Sequence, residues 1–117
     1  IGKVISQSGI VWYDPSMNFF QDEPAKFKTD LREQPNWLAR QFLNRKKLPL
    51  RFHLDAGSFE ANIADMGNRS ILESNRHLRD VLLAKGYSVH YQEFTGGHDY
   101  LNWRGTLADA LIALSAP

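Results

Sequence analysis

Leu50, Phe52 and Leu54 alternate with Arg51, His53 and Asp55 until Gly57 ends the pattern, which predicts a β-strand over Leu48–Gly57. The period then lengthens. Ile71, Leu72, Leu78, Val81 and Leu82 fall along one stripe of a helix over Ser70–Gly86, with Gly86 placed where a C′ glycine ends such a helix. Trp37, Leu38, Phe42 and Leu43 predict one apolar face of an earlier helix within Glu33–Lys47, and Pro35 suits its first turn. The β-branched run Lys3–Gly9 and the stretch Tyr87–Gly97 read as two further strands. Leu107, Leu111 and Leu114 predict one side of a closing helix over Thr106–Ser115. Residues 10–30 are rich in aromatics, broken by Pro15 and Pro24, and show no period. A long loop is expected there, and long loops are candidates for substrate contact.

The order of elements is therefore strand, loop, helix, strand, helix, strand, helix. Such alternation predicts an α/β fold, in which parallel strands carry helices on both faces in three α/β/α layers. Ligands of these sheets bind beyond the carboxyl ends of the strands. All three strand exits here are polar and flexible, reading Ser-Gln-Ser-Gly, Ala-Gly-Ser-Phe-Glu and Thr-Gly-Gly-His-Asp. The three loops are expected to meet at one site.

Composition narrows the partners. Fourteen Lys and Arg against thirteen Asp and Glu give a nearly balanced charge, which argues neither for nucleic acid nor for an anionic membrane. No run approaches the ~18 apolar residues of a membrane span, and no leader pattern opens the chain. Without cysteine there is no disulfide or thiolate metal site. The histidines lack metal-binding spacing, and no cofactor is expected. The chain starts at Ile1, at the mouth of a strand, so residues 1–117 are expected to form one C-terminal piece of a longer domain.

At the last strand exit stands His98, after Gly96 and Gly97, and at the exit before it stands Glu60. A histidine titrates near working pH and can take the proton of a serine hydroxyl, which is otherwise a poor nucleophile. An acid fixes its tautomer. In α/β-hydrolases the acid precedes the histidine in the chain, as here. Glu60 ranks first as that acid, followed by Asp55 and then Asp65. Asp99 adjoins His98, but its side chain is expected to point elsewhere. His53, His77 and His90 fall within strand or helix patterns and read as structural. Gly-x-Ser-x-Gly, the nucleophile elbow, does not occur in the chain. Ser8, in Ser-Gln-Ser-Gly-Ile, is a lookalike that leads into no helix; it is expected to line the pocket or end the strand.

These pieces resemble, in order, the C-terminal part of the enterochelin (ferric enterobactin) esterases, in the esterase D-like group of the α/β-hydrolases. The resemblance rests on "GKVISQSGIVWY", "LDAGSFE", "SNRHLRDVLLAKG" and, most specifically, "GGHDYLNWRGTLADAL". It implies that His98 is a triad base and that Glu60 stands at the position of the acid. It also implies that Trp12, Trp103 and Arg104 contact substrate, the arginine pairing with an anionic group or bracing its loop. Ile10 and Val11 replace the small and aromatic residues usual before Trp12. The family's serine and oxyanion-hole donors would lie upstream, so these 117 residues alone are expected to be inactive.

The function implied is that of a cytoplasmic carboxylic ester hydrolase acting on a siderophore trilactone. Feruloyl esters, thioesters and acyl transfer use the same machinery, and a non-catalytic hydrolase-like binding domain is the alternative of a different class. A three-stranded parallel sheet with open edges is expected to be poorly stable or to self-associate.

Overall fold

The computed structural model describes residues 2–12, 36–61 and 70–116. Three strands, β1 (Gly2–Gln7), β2 (Leu50–Gly57) and β3 (Ser88–Phe94), alternate with three helices, α1 (Trp37–Asn44), α2 (Ile71–Ala84) and α3 (Tyr100–Ser115). The strands lie side by side in the order β1-β2-β3 and all run parallel. Val4 is level with Phe52, which is level with Val89. The α/β class expected from the alternation is the class observed.

Two successive crossovers that step the same way across a sheet, each right-handed, place their helices on one face. α1 and α2 accordingly pack together, and α3 covers all three strands from the other side. The pleat sorts β2 between these layers. Phe52 and Leu54 join Ala39, Leu78, Val81, Leu82 and Tyr87 in the main core. Within it Phe42, Phe52 and Tyr87 meet edge to face, with ring centroids 5.2–5.9 Å apart. The opposite residues of β2 point toward α3: Arg51 donates to the Ala116 carbonyl, and His53 and Asp55 are wholly buried.

Helix ends follow from local chemistry. Ser70 caps α2, its hydroxyl accepting the Glu73 N–H at 2.9 Å, and Gly86 adopts the left-handed φ of 86° beyond it. Asp99 caps α3 by accepting from the N–H groups of Leu101 and Asn102. That cap corrects one expectation: α3 begins at Tyr100, six residues ahead of Thr106. It also turns differently from the reading of its leucines. Thr106, Ala110 and Leu114 face the sheet, while Leu107 and Leu111 are exposed, because Gln7 and Asp55 beneath the helix favour a small or polar partner. In α1, Leu43 is likewise exposed, and Ala39 is the buried residue. Most of the aromatic loop and Asp65 lie outside the described residues.

Candidate active site

Each strand ends in a segment tied to its neighbours. After β2, the Glu60 N–H donates to the Gly57 carbonyl at 3.1 Å, closing a tight turn. The Glu60 side chain folds back, and its Oε2 accepts the Gly57 N–H at 3.0 Å. The carboxylate is thus 1% exposed and fixed in place. Beyond β3, the Phe59 N–H donates to the Gly96 carbonyl at 3.0 Å, joining the two loops. Gly57 must be glycine for this approach, since a Cβ there would overlap the Gly96 carbonyl. A Cβ at Gly96 would meet the Asn102 side chain, whereas one at Gly97 would have open space. Neither glycine of the pair adopts positive φ. The pair serves close approach at Gly96, not the backbone freedom that two glycines suggest.

His98 is brought to Glu60 by this arrangement. Its Nδ1 lies 3.1 Å from Oε1, and its side chain keeps 39% exposure while Glu60 has almost none. An ionised carboxylate only accepts hydrogen bonds, so in a pair with one Nδ1 is the donor, which assigns the proton to Nδ1 and the lone pair to Nε2. This is the tautomer that a general base requires. Asp99, adjoining His98, is committed to the cap, and Asn102 donates to both Asp99 and the Gly97 carbonyl. The His98 turn is therefore pinned on both sides.

The other candidates are distributed unevenly. Asp55 stays within β2, wholly buried near His53, Gln7 and Thr106; burial raises its pKa, with Thr106 and Gln7 opposing in part. It is Glu60 that reaches His98. Trp12 is 3% exposed and packs against Ala56, Ile71 and Leu72, which makes its ring part of a second core cluster. Trp103 is half-buried, edge-on to the His98 ring at 4.7 Å and to Tyr100 at 5.3 Å. Arg104 is exposed and has no ion-pair partner among the described residues. Ser8, buried and at φ 49°, accepts the Trp103 indole N–H at 2.9 Å. Sequence reasoning missed that bond and the Gly57 contact. The first joins residues 95 positions apart, and no spacing announces it.

His53 stacks on His90 with ring centroids 4.8 Å apart, and burial lowers its pKa. His77 meets Asn36 at 3.0 Å on the surface. Among the described residues no three or more histidines and carboxylates converge as a metal site requires, and no helix is long and apolar enough to cross a membrane.

Comparison with known proteins bears on the family and the fold. The chain is similar to an iron(III) enterobactin esterase of Dickeya dadantii, 33% identical over an alignment 117 positions long that covers 92% of this chain and 22% of that protein. It is 30% identical to an iron(III) salmochelin esterase of Escherichia coli, covering 94% of this chain and 24% of that one. Among solved structures it matches the enterobactin esterase of Shigella flexneri, crystallised in the presence of 2,3-dihydroxy-N-benzoyl-glycine. The TM-score is 0.67 at 28% identity, over 97% of this chain and 25% of that one. The chain spans about a quarter of the length of these relatives. The sequence model of the Esterase family matches residues 2–114. With that match and the parallel α/β sheet, the chain belongs to the Esterase family and shares the α/β-hydrolase fold of its enterobactin-esterase neighbours.

Proposed function

We propose that this chain is the C-terminal part of a serine esterase and supplies its general base, His98, and the acid that orients it, Glu60. The nucleophile comes from sequence outside the 117 residues. The observation that carries the reading is the 3.1 Å contact between Nδ1 of a half-open histidine and Oε1 of a fully buried glutamate. A surface ion pair has no need to bury its carboxylate, and burying one is costly unless it is hydrogen-bonded.

In the proposed reaction, His98 Nε2 takes the serine hydroxyl proton as Oγ bonds to the ester carbonyl carbon. Glu60 stabilises the imidazolium that forms. The ester C–O bond then breaks, and the imidazolium returns its proton to the departing alkoxide. Water repeats the cycle: His98 accepts its proton, hydroxide attacks the acyl carbon, and the serine oxygen leaves reprotonated. Balance needs no co-reactant beyond water.

The substrate favoured is a catecholate siderophore ester, with any iron carried as part of the substrate. The relatives are named for enterobactin and salmochelin, and one was crystallised with a dihydroxybenzoyl compound. Arg104, exposed near the start of α3, is the side chain assigned in this reading to an anionic group of the substrate.

The test uses the full-length protein, a fluorophosphonate probe and the cyclic trilactone of dihydroxybenzoylserine. A covalent serine adduct, linear products by mass spectrometry and loss of turnover in His98→Ala are expected. No serine adduct, or an unchanged rate in His98→Ala, overturns the proposal.

A further inference from the structure

Ser8 sits at the end of β1, where the sequence offers the lookalike of a nucleophile, yet its hydroxyl is already engaged. It is 3% exposed, its N–H donates to the Asp55 carbonyl at 2.9 Å, and its Oγ accepts from Trp103 Nε1 at 2.9 Å. Its φ of 49° lies in the left-handed region, where a non-glycine residue is strained. Glycine would occupy that backbone at less cost. Strain kept at a buried serine whose hydroxyl holds a side chain beside a reactive group is a reason to look for function.

The indole that Ser8 holds is the one packed on His98. Trp103 meets the imidazole edge to face, centroids 4.7 Å apart at 86°. A single hydrogen bond, from Nδ1 to Glu60, leaves the imidazole of a 39% exposed residue free to pivot about that contact. A ring wall against one side removes the pivot. Trp103 is itself held at several points. Besides its indole bond, its carbonyl accepts from Gln7 Nε2 at 2.9 Å, and Gln7 also donates to Thr106 Oγ1 at 2.7 Å. The end of β1 thus grips the beginning of α3 just beyond His98.

We infer that Ser8 is a positioning residue that, through its hydrogen bond to Trp103, sets the orientation of His98. This rests on the proposed role of His98 as base. It also assigns Trp103 to the support of the imidazole in addition to any contact with substrate. Misplacement of a reacting group by an ångström can cost up to about a hundredfold in rate.

The experiment measures steady-state hydrolysis of a p-nitrophenyl ester by the full-length enzyme. Ser8→Gly deletes the hydroxyl and keeps the backbone conformation without strain. Trp103→Phe keeps an aromatic ring and deletes the N–H. Each is expected to lower kcat about tenfold with KM unchanged, while the melting temperature of Ser8→Gly stays level or rises. The double variant is expected to lose no more than Trp103→Phe alone, and Ser8→Gly added to His98→Ala to cause no further loss. A wild-type kcat in Ser8→Gly overturns the inference. So does a full additional loss in the His98→Ala background, or a fall in melting temperature with kcat intact. Should His98→Ala itself retain wild-type turnover, the proposed function fails; His98→Ala inactive with Ser8→Gly at wild-type kcat sinks the positioning role alone.

Discussion

His98 and Glu60 stand 38 positions apart, and two short-range features bring them together: a carboxylate folded back on the Gly57 N–H and a loop pressed against Asn102. The acid is held by a backbone donor before the histidine arrives, so its substitution affects tautomer more than packing. On the proposed function, Glu60→Gln in the full-length protein is expected to lower kcat by about 10²–10⁴-fold, because an amide can offer a donor where Nδ1–H needs an acceptor. Steady-state kinetics read this directly, and a variant within twofold of wild type would refute the orienting role. The diglycine turn separates in a similar way. A Cβ at Gly96 meets the Asn102 side chain, whereas one at Gly97 meets nothing within 4 Å. Gly96→Ala is therefore expected to destabilise by about 1–3 kcal/mol in denaturant melts, with Gly97→Ala within about 0.5 kcal/mol of wild type.

At the scale of elements, strands and α2 were legible because each carries both a period and a stop. Leu48–Gly57 was expected and Leu50–Gly57 is found; Ser70–Gly86 was expected, and α2 is Ile71–Ala84 with Gly86 beyond it. α3 was legible only in its second half. Its first turns, Tyr100 to Gly105, present an exposed tyrosine, a half-buried tryptophan and a glycine instead of an apolar stripe, and the signal that could have placed its start is the Asp99 cap. The alternation in β2 marks two faces, but does not tell that both are buried. His53 and Asp55 are wholly enclosed beneath α3, because that helix presents Thr106 and Ala110 there. Periodicity reports which residues share a face and says nothing of what covers it. The covering has a pH signature. Burial raises the folded-state pKa of Asp55 above its ordinary 3.8, so the neutral acid is the form the fold prefers. Stability from this group is fully present below pH 3.8 and is lost as pH rises through the folded-state value. Asp55→Asn is expected to melt higher than wild type at pH 7, with the difference closing as the pH falls toward 3.8. Equal melting curves across that range would show that the carboxylate is accommodated without cost.

At the scale of the molecule, the charge balance that argued against nucleic acid leaves a surface whose most unusual feature is apolar. Tyr100, Leu101, Leu107, Leu111 and Ile112 are all exposed along α3, from 41% to 79%. Among the described residues β1 and β3 each pair only with β2, so each keeps an unpaired edge. The two edges are not equivalent hazards. Along β3, Glu93 takes a two-pronged ion pair from Arg76 and a hydrogen bond from Tyr91, and charges of this kind blunt strand addition. The helix carries no such guard over its leucines, and a contiguous exposed apolar patch is the surface that drives association in water. The 117-residue chain on its own is therefore expected to show a mass that rises with concentration in sedimentation equilibrium. Leu111→Lys combined with Ile112→Lys places two charges on the exposed side without touching Ala110 or Leu114, which pack inward. That variant is expected to shift the chain toward monomer with its helical circular dichroism retained. If it associates as strongly as the parent, the helix face is not the route, and the open edge of β1, which shows no such ion pair among the described residues, becomes the surface to block.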